Sequence, residues 1–368
     1  MAKKVKLVVN DFHLGKGPVL KDGTVNILED FRYGAKFVEF LDHHSSGEFA
    51  DAHVELIING DFLNLLQLDY LGIHTYLVTE RMVVHGVRSI IAGHPEVFDA
   101  LRKFAAADNH EIAYIIGNHD VGLLFDEARK TLRECIGTKL RFYDTHYDFD
   151  HVRVEHGHAY EAINATDPQN FKLQDPDYPE PVLNLPWASL FVAAYLPKIK
   201  KDRPFVDKVK PFTGYMRWVL LHDTLFAIRT GIYIGLSFLK MALLARRHPL
   251  LAFDFSWARL KGTTIYPSFV KEARKILRDN PQLHAIIFGH THMLRYKQWG
   301  GGKEYFNTGT WNEVTSFDIS DFGLQTLLTY AYIEIPPKGA GQRARIRLKE
   351  WKGKWRSELE ASVMPVGK

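Results

Sequence analysis

The sequence predicts an α/β protein whose sheet is buried on both faces and carries its chemistry along one edge. Three observations predict it: short apolar runs of the kind that form buried strands, polar residues placed directly at the carboxyl ends of those runs, and longer stretches of helical periodicity between them. The reference run is Ile112 to Ile116, which stops abruptly at Gly117-Asn118-His119-Asp120. A β-branched and aromatic run closed by glycine reads as a strand that delivers its polar residues to the edge where open α/β sheets bind ligands. An amide, an imidazole and a carboxylate pack poorly, but they suit a metal ligand, a proton donor and an orienting partner.

The other elements follow in order. Val5 to Val9 leads into Asn10-Asp11-Phe12-His13. After a loop at Leu14 to Pro18, Asn26 to Asp42 reads as a helix with Ile27, Leu28, Phe31, Ala35 and Val38 on its inner side, ended by His43 and His44 as solvated loop histidines. Val54 to Ile58 leads into Asn59-Gly60-Asp61. From Phe62 a long, largely helical stretch runs to Ala107; His85, His94 and His110 have no partner motif and read as surface or core residues. The single cysteine, Cys135, falls on a helix from Asp126 to Ile136 and excludes an internal disulfide or thiolate cluster. Val152 to Glu155 leads into His156-Gly157-His158. Pro267 to Asp279 is an amphipathic helix, and Ala285 to Phe288 leads into Gly289-His290-Thr291-His292. Thr326 to Ile335 and Ala344 to Trp351 alternate like antiparallel strands that complete a second sheet, and the tail from Lys352 is peripheral.

Length and composition bound the reading. The 368 residues, 46% apolar, suffice for a substantial core, and a net charge of +4 does not argue for nucleic acid. The start, Met1-Ala2-Lys3-Lys4-Val5, is a first strand and not a signal peptide, so the expected location is cytoplasmic.

Between Tyr160 and Asn280 the alternation of strand and helix is interrupted. Pro168, Pro176, Pro179, Pro181 and Pro186 mark a loop-like region, followed by two apolar segments, Leu183 to Leu196 and Leu225 to Ala245. The first is too short to span a bilayer, and the second is interrupted by Arg229, Lys240, Gly231 and Gly235. Residues 198 to 247 hold eleven lysines and arginines against three aspartates, a local +8, so the remainder of the chain is net acidic by four. Two readings stay open for residues 183–247: a lid whose apolar face packs on the catalytic domain, or a surface that meets anionic lipid at the inner face of a membrane.

Taken together, Asp-x-His, Gly-Asp, Gly-Asn-His-Asp, His-Gly and Gly-His-x-His, each after an apolar run, resemble the motifs of the calcineurin-like metallophosphoesterases in that family's order. The resemblance spans residues 5 to 310, and Asn307-Thr308-Gly309-Thr310-Trp311 is similar to its closing segment, with Thr308 where proline is usual. It implies a four-layer α-β-β-α sandwich of two mixed sheets with a largely helical insertion. Residues 1–160 and 265–351 would form the catalytic domain, 161–264 the insertion and 352–368 the tail. It further implies two divalent metal ions, drawn from Mn, Fe and Zn with Mn favoured. Asp11, His13 and His292 would hold one ion, Asn118, His156 and His290 the other, with Asp61 bridging. His119 would protonate the leaving oxygen, with Asp120 fixing its tautomer. His158 is the alternative ligand to His156, or else a substrate contact.

The implied activity is hydrolysis of a phosphodiester, phosphomonoester or pyrophosphate by metal-activated water. Among relatives with an insertion at this place, the UDP-2,3-diacylglucosamine hydrolases are nearest in layout. They carry arginine in place of His119 and an acidic run in place of Ala159-Tyr160-Glu161, so a lipid-linked phosphoester is expected without that particular substrate. A nuclease or cyclic-nucleotide phosphodiesterase is the enzymatic alternative. A metal-binding interaction module without activity is the other.

Overall fold

The computed structural model describes residues 3–20, 22–75, 77–174, 179–210, 212–247, 268–316, 323–337 and 339–353. Residues 248–264 of the expected insertion and the expected tail from 354 lie outside these.

The apolar runs form strands because their residues alternate between two buried faces. β1 (Lys4–Val9), β2 (His53–Asn59), β3 (His110–Ile115) and β4 (Leu140–Tyr143) lie parallel and adjacent, and α1 (Gly34–His43), α2 (Glu80–Gly93), α3 (Pro95–Ala106) and α4 (Asp126–Ile136) connect them. β5 (His146–Phe149) turns back on β6 (Val152–Glu155) to begin a second sheet. The chain then leaves both sheets through β7 (Lys172–Leu173), β8 (Val182–Leu183), α5 (Trp187–Ala194), α6 (Leu196–Lys200), β9 (Val209–Lys210), α7 (Phe212–His222) and α8 (Thr224–Arg247). It returns with α9 (Phe269–Asp279), β10 (Ala285–Phe288), β11 (Leu294–Trp299) and β12 (Lys303–Thr308). β13 (Glu313–Ser316) pairs with β9 and with β14 (Gly323–Thr326), and β15 (Thr329–Ile335) and β16 (Arg345–Glu350) close the chain.

The first sheet has the order β16-β15-β1-β2-β3-β4 and the second β11-β12-β10-β6-β5. Leu7, Leu56 and Ile112 face the helices and pack with Phe37, Phe98 and Leu101. Their neighbours Val8, Ile57 and Ala113 face the second sheet and meet Val154, Ala285 and Ile287. On that sheet's far side, Ile286 and Phe288 pack on Ala273 and Leu277 of α9. Helix, sheet, sheet and helix thus form the four layers the motifs imply.

Three expectations need correction. The hairpin β15–β16 joins the first sheet, because β15 pairs antiparallel with β1, whereas β5, β11 and β12 complete the second. The helix expected from Asn26 begins only at Gly34. The Glu29 carboxylate accepts from the main chain of Gly15, Gly17 and Phe31, which holds the preceding residues as a loop. The stretch from Phe62 contains one short 3-10 turn, then α2 and α3, which break at His94-Pro95 because proline cannot continue a helix from within but can start one.

His44 is fully buried, not solvated. Its ring lies 4.5 Å from that of Phe40 and 4.9 Å from that of Phe49, and its Nδ1 is 2.9 Å from the Phe40 carbonyl. Burial, aided by the nearby His43, Lys349 and Lys3 charges, pulls its pKa from an ordinary 6.5 to about 3, against the Phe40 carbonyl bond. The unfolded chain therefore binds this proton at higher pH than the native state does. Stability is full above about pH 6.5 and falls by about 1.4 kcal/mol per pH unit below it, until about pH 3. Denaturant titrations at pH 7 and pH 5 check this: the His44→Phe variant is expected to lose less stability between the two than the parent chain.

Lys200 fastens the insertion to the first sheet's loops. Its ammonium is wholly buried, 3.0 Å from Asp30 Oδ1, 2.8 Å from Asp207 Oδ2 and 3.3 Å from Gln67 Oε1. A buried cation is tolerated only with such complete pairing. Among the described residues, no helix is long and apolar enough to cross a membrane.

Candidate metal centre

Five strands, β1, β2, β3, β6 and β10, end at one place, and the residues following them converge there. Asp11 Oδ1 lies 3.3 Å from His292 Nε2 and 3.6 Å from His13 Nε2, and those two nitrogens are 3.0 Å apart. Asp61 Oδ2 lies 3.2 Å from His156 Nε2 and 3.9 Å from His13 Nε2, so it stands between two groups. One group is Asp11, His13 and His292, another is Asp61, His156 and His290, and His13, Asp61 and His119 form a third that overlaps both the first and the second. Donor atoms bound to one ion at about 2.1 Å fall about 3 to 3.5 Å from one another, close to the 3.0 to 3.6 Å that separates the Asp11, His13 and His292 atoms.

Three donor atoms of this cluster, Asp11 Oδ1, Asn118 Oδ1 and His156 Nε2, are buried without a hydrogen-bond partner. Buried polar atoms are almost always satisfied, so orphans pointing at one spot fit divalent cations as the missing partners. With no thiolate present, imidazole, carboxylate and amide donors suit ions such as Mn, Fe or Zn. Electrostatics agrees. Burial lowers His156, but the Asp61 and Asp11 carboxylates overcome it and push the imidazole up to about 10. Burial would raise both carboxylates, yet the surrounding imidazoles hold them well below their usual range.

The local backbone shows what this convergence costs. Asp11, His13, Asp61, His290 and His292 all adopt left-handed conformations, with φ between 52° and 66°. Such a residue costs about 1 to 3 kcal/mol and persists only where its surroundings enforce it. Here Thr310 and Asn312 enforce it, donating to the Asp11 carbonyl at 2.6 and 3.2 Å, while Asn307 donates to the Gly289 carbonyl at 2.7 Å. The glycine before Asp61 is required by closeness: a Cβ on Gly60 would lie 2.5 Å from His156 Nδ1.

His119 lies at the mouth of the cluster, its ring edge-on to His13 with centroids 4.5 Å apart and its main-chain N–H donating to Asp61 Oδ1 at 2.8 Å. Its expected partner is corrected. Asp120 does not reach His119; its carboxylate accepts from Gly117 N–H at 2.5 Å, Phe62 N–H at 3.1 Å and Tyr114 O–H at 2.6 Å, and so holds the turn. Burial and the neighbouring Asp61 push Asp120 up to about 7. The residue at His119 Nδ1 is Asn64, 2.9 Å away. Burial holds His119 down at about 3, so an anion beside its Nε2 is needed to bring it a proton.

His156, not His158, reaches Asp61. His158 is also buried, its ring centroid 5.4 Å from that of His156. Two residues escaped the sequence reading. The Glu161 carboxylate lies 2.8 Å from His290 Nε2, which leaves Nδ1 of that ring for the cluster. Its signal was faint: an acid three residues past His158, in a turn. Lys210, on the two-residue β9, had none beyond membership of a basic run.

A cavity of about 570 Å³ opens over the cluster. His13, Asp61, Asn118, His119, His290 and His292 form its floor, and Trp187, Phe191, Leu196, Phe226, Ile234 and Phe269 line its walls. Lys210 lines it close enough for its charge to act on His292 and Glu161; burial lowers its pKa from the ordinary lysine value, and among the described residues no hydrogen bond or ion pair holds its ammonium.

No protein-family model and no curated protein matches the chain. Solved structures do. A dimetal phosphatase of Danio rerio matches at 9% identity and TM-score 0.37, over 96% of this chain and 97% of that one. A conserved protein of Streptococcus pneumoniae described as a predicted phosphoesterase matches at 10% and 0.30, over 98% and 99%. Vps29 of Entamoeba histolytica, complexed with zinc, matches at 10% and 0.31, over 97% and 98%. At such identities and scores, the functional reading rests on the chain's own side chains. In the order of its strand-end motifs, in its four layers and in the residues that converge, the chain resembles the calcineurin-like metallophosphoesterases.

Proposed function

We propose that the protein is a two-metal phosphoesterase acting on a phosphoester or pyrophosphate that carries an apolar, lipid-like group. The observation that carries this reading is the joining of two features: a cluster of metal-ligating side chains, some with orphaned donor atoms, that opens at the floor of a cavity, and apolar walls above it.

Asp11, His13 and His292 would hold one ion, Asn118, His156 and His290 the second, and Asp61 would serve both. Once bound, the ions supply a water acidified toward neutrality and neutralise charge on the phosphoryl oxygens. The remaining steps belong to the protein. The Asp61 carboxylate fixes the main chain at His119, and Asn64 fixes that ring through Nδ1, so that Nε2 faces the cavity floor. An anionic phosphoryl group there draws a proton onto Nε2, which passes to the departing oxygen. The apolar walls exclude water and seat the substrate's apolar part.

Lys210 supplies a cation where the phosphoryl group would lie. A charge-assisted hydrogen bond to it is worth about 1.5 to 3 kcal/mol, so Lys210→Met is expected to raise KM by about ten- to a hundredfold with kcat much less changed, and Lys210→Arg to recover part of the loss. Steady-state kinetics of the three proteins check this.

The reading itself is tested with manganese-loaded protein and chromogenic phosphodiester, monoester and acyl-chain phosphoester substrates. Hydrolysis that improves with chain length is expected. Metal bound at two equivalents without hydrolysis of any of them would leave the interaction module instead.

A further inference from the structure

The outer surface of the insertion carries an apolar strip that is exposed among the described residues. Leu225, Ile228, Ile232, Leu236, Leu239 and Leu243 of α8 are each between 45% and 83% exposed, and Leu220 and Leu221 of α7 extend the same surface at 61% and 78%. A contiguous strip of large aliphatic side chains in water marks a surface that meets something.

Its geometry and charge select the occupant. From Leu225 to Leu243 the strip advances eighteen residues in five steps, 3.6 residues per step, which is the period of the α-helix itself. It therefore follows one side of α8 for roughly 27 Å. Neither α7 nor α8 contains an acidic residue; Arg217 and Lys240 lie along them with Arg229, which is ion-paired with Asp202, and residues 198 to 247 together carry a net +8. A second copy packed against this face would set cation against cation. A bilayer with anionic headgroups would neutralise them, with the long basic side chains reaching up to the phosphates while the aliphatic groups enter the acyl boundary.

We propose that the outer face of α7 and α8 docks the protein in the plane of an anionic bilayer. The opposite face of α8 turns Phe226, Thr230 and Ile234 into the cavity over the metal centre, so one helix would have its outer side in the membrane and its inner side on the substrate. Docking itself does not depend on the proposed chemistry.

The test is sedimentation of the full chain, at low salt, with vesicles of equal parts phosphatidylcholine and phosphatidylglycerol and with phosphatidylcholine alone. The chain is expected to sediment with the anionic vesicles. Ile228→Glu with Ile232→Glu is expected to weaken this by more than about tenfold, because two carboxylates then enter the apolar boundary. Both positions are exposed and outside the cavity, so circular dichroism and hydrolysis of a soluble ester are expected to stay as in the parent chain. Absence of the parent chain from the anionic pellet overturns the proposal, as does equal binding by the variant. A dimer seen by analytical ultracentrifugation, dissociated by the same substitutions and indifferent to vesicles, would overturn it in favour of a second copy.

Discussion

Asp61→Asn is expected to lower hydrolysis by about a thousandfold or more and to reduce bound manganese from two equivalents toward one. The reason is the position of a single oxygen. Asp61 Oδ2 lies within 3.2 Å of His156 Nε2 and 3.9 Å of His13 Nε2, one from each donor group, and no other carboxylate among the described residues has this position. Asparagine keeps the shape, and its oxygen can still accept from His119 N–H, so the turn should survive. What it removes is the negative charge that two divalent cations would share in the proposed centre, and with it the acidified water they would supply, an effect far larger than the loss of one hydrogen bond. Metal content by plasma emission and kcat/KM on a phosphodiester measure the two effects separately. Undiminished hydrolysis with both metals retained would remove Asp61 from the chemistry.

His119→Gln is expected to cost about a hundred- to ten-thousandfold on an alkyl phosphoester and much less on a nitrophenyl ester. An alkoxide leaves only with a proton, whereas nitrophenolate leaves without one. Glutamine can still meet Asn64, so the two substrates separate proton donation from positioning. Equal losses on both would make His119 a positioning residue, and no loss on either would leave it outside the reaction.

The candidate centre was legible because every one of its ligands directly follows a run of apolar residues. The run predicts a buried strand, and the strand's end fixes where the next two or three side chains go. Partners brought from a distance were not legible in the same way. Asn64 reaches His119 from a different strand end, 55 positions earlier, whereas Asp120 was adjacent in sequence and yet turned inward to Tyr114 and the main chain. His44 stands before Ser45, Ser46 and Gly47, which read as a loop, but the burial there comes from Phe40, Phe49 and the remote Trp351. For Thr329–Ile335, alternation gave a strand but could not say which sheet would accept it. That was decided by the vacant side of β1, whose other side is taken by β2. Lys210 lies on a strand too short for any period to show.

The pairing of β15 with β1 carries a consequence for the order of synthesis. β1 is made before the other described strands and lies within its sheet, yet one of its two sides must wait for residues 329–335, more than three hundred positions later. Until then a nascent chain holds β1 with an open ladder of amide and carbonyl groups, the arrangement most prone to capture by another strand. The ligands Asp11 and His13 hang from that same strand, and Thr310 and Asn312, which clamp their backbone, arrive just ahead of its final partner. Closing the sheet and setting the first ligands are thus joined as one late event in the life of the chain, and a chaperone that shields β1 in the interval would protect both.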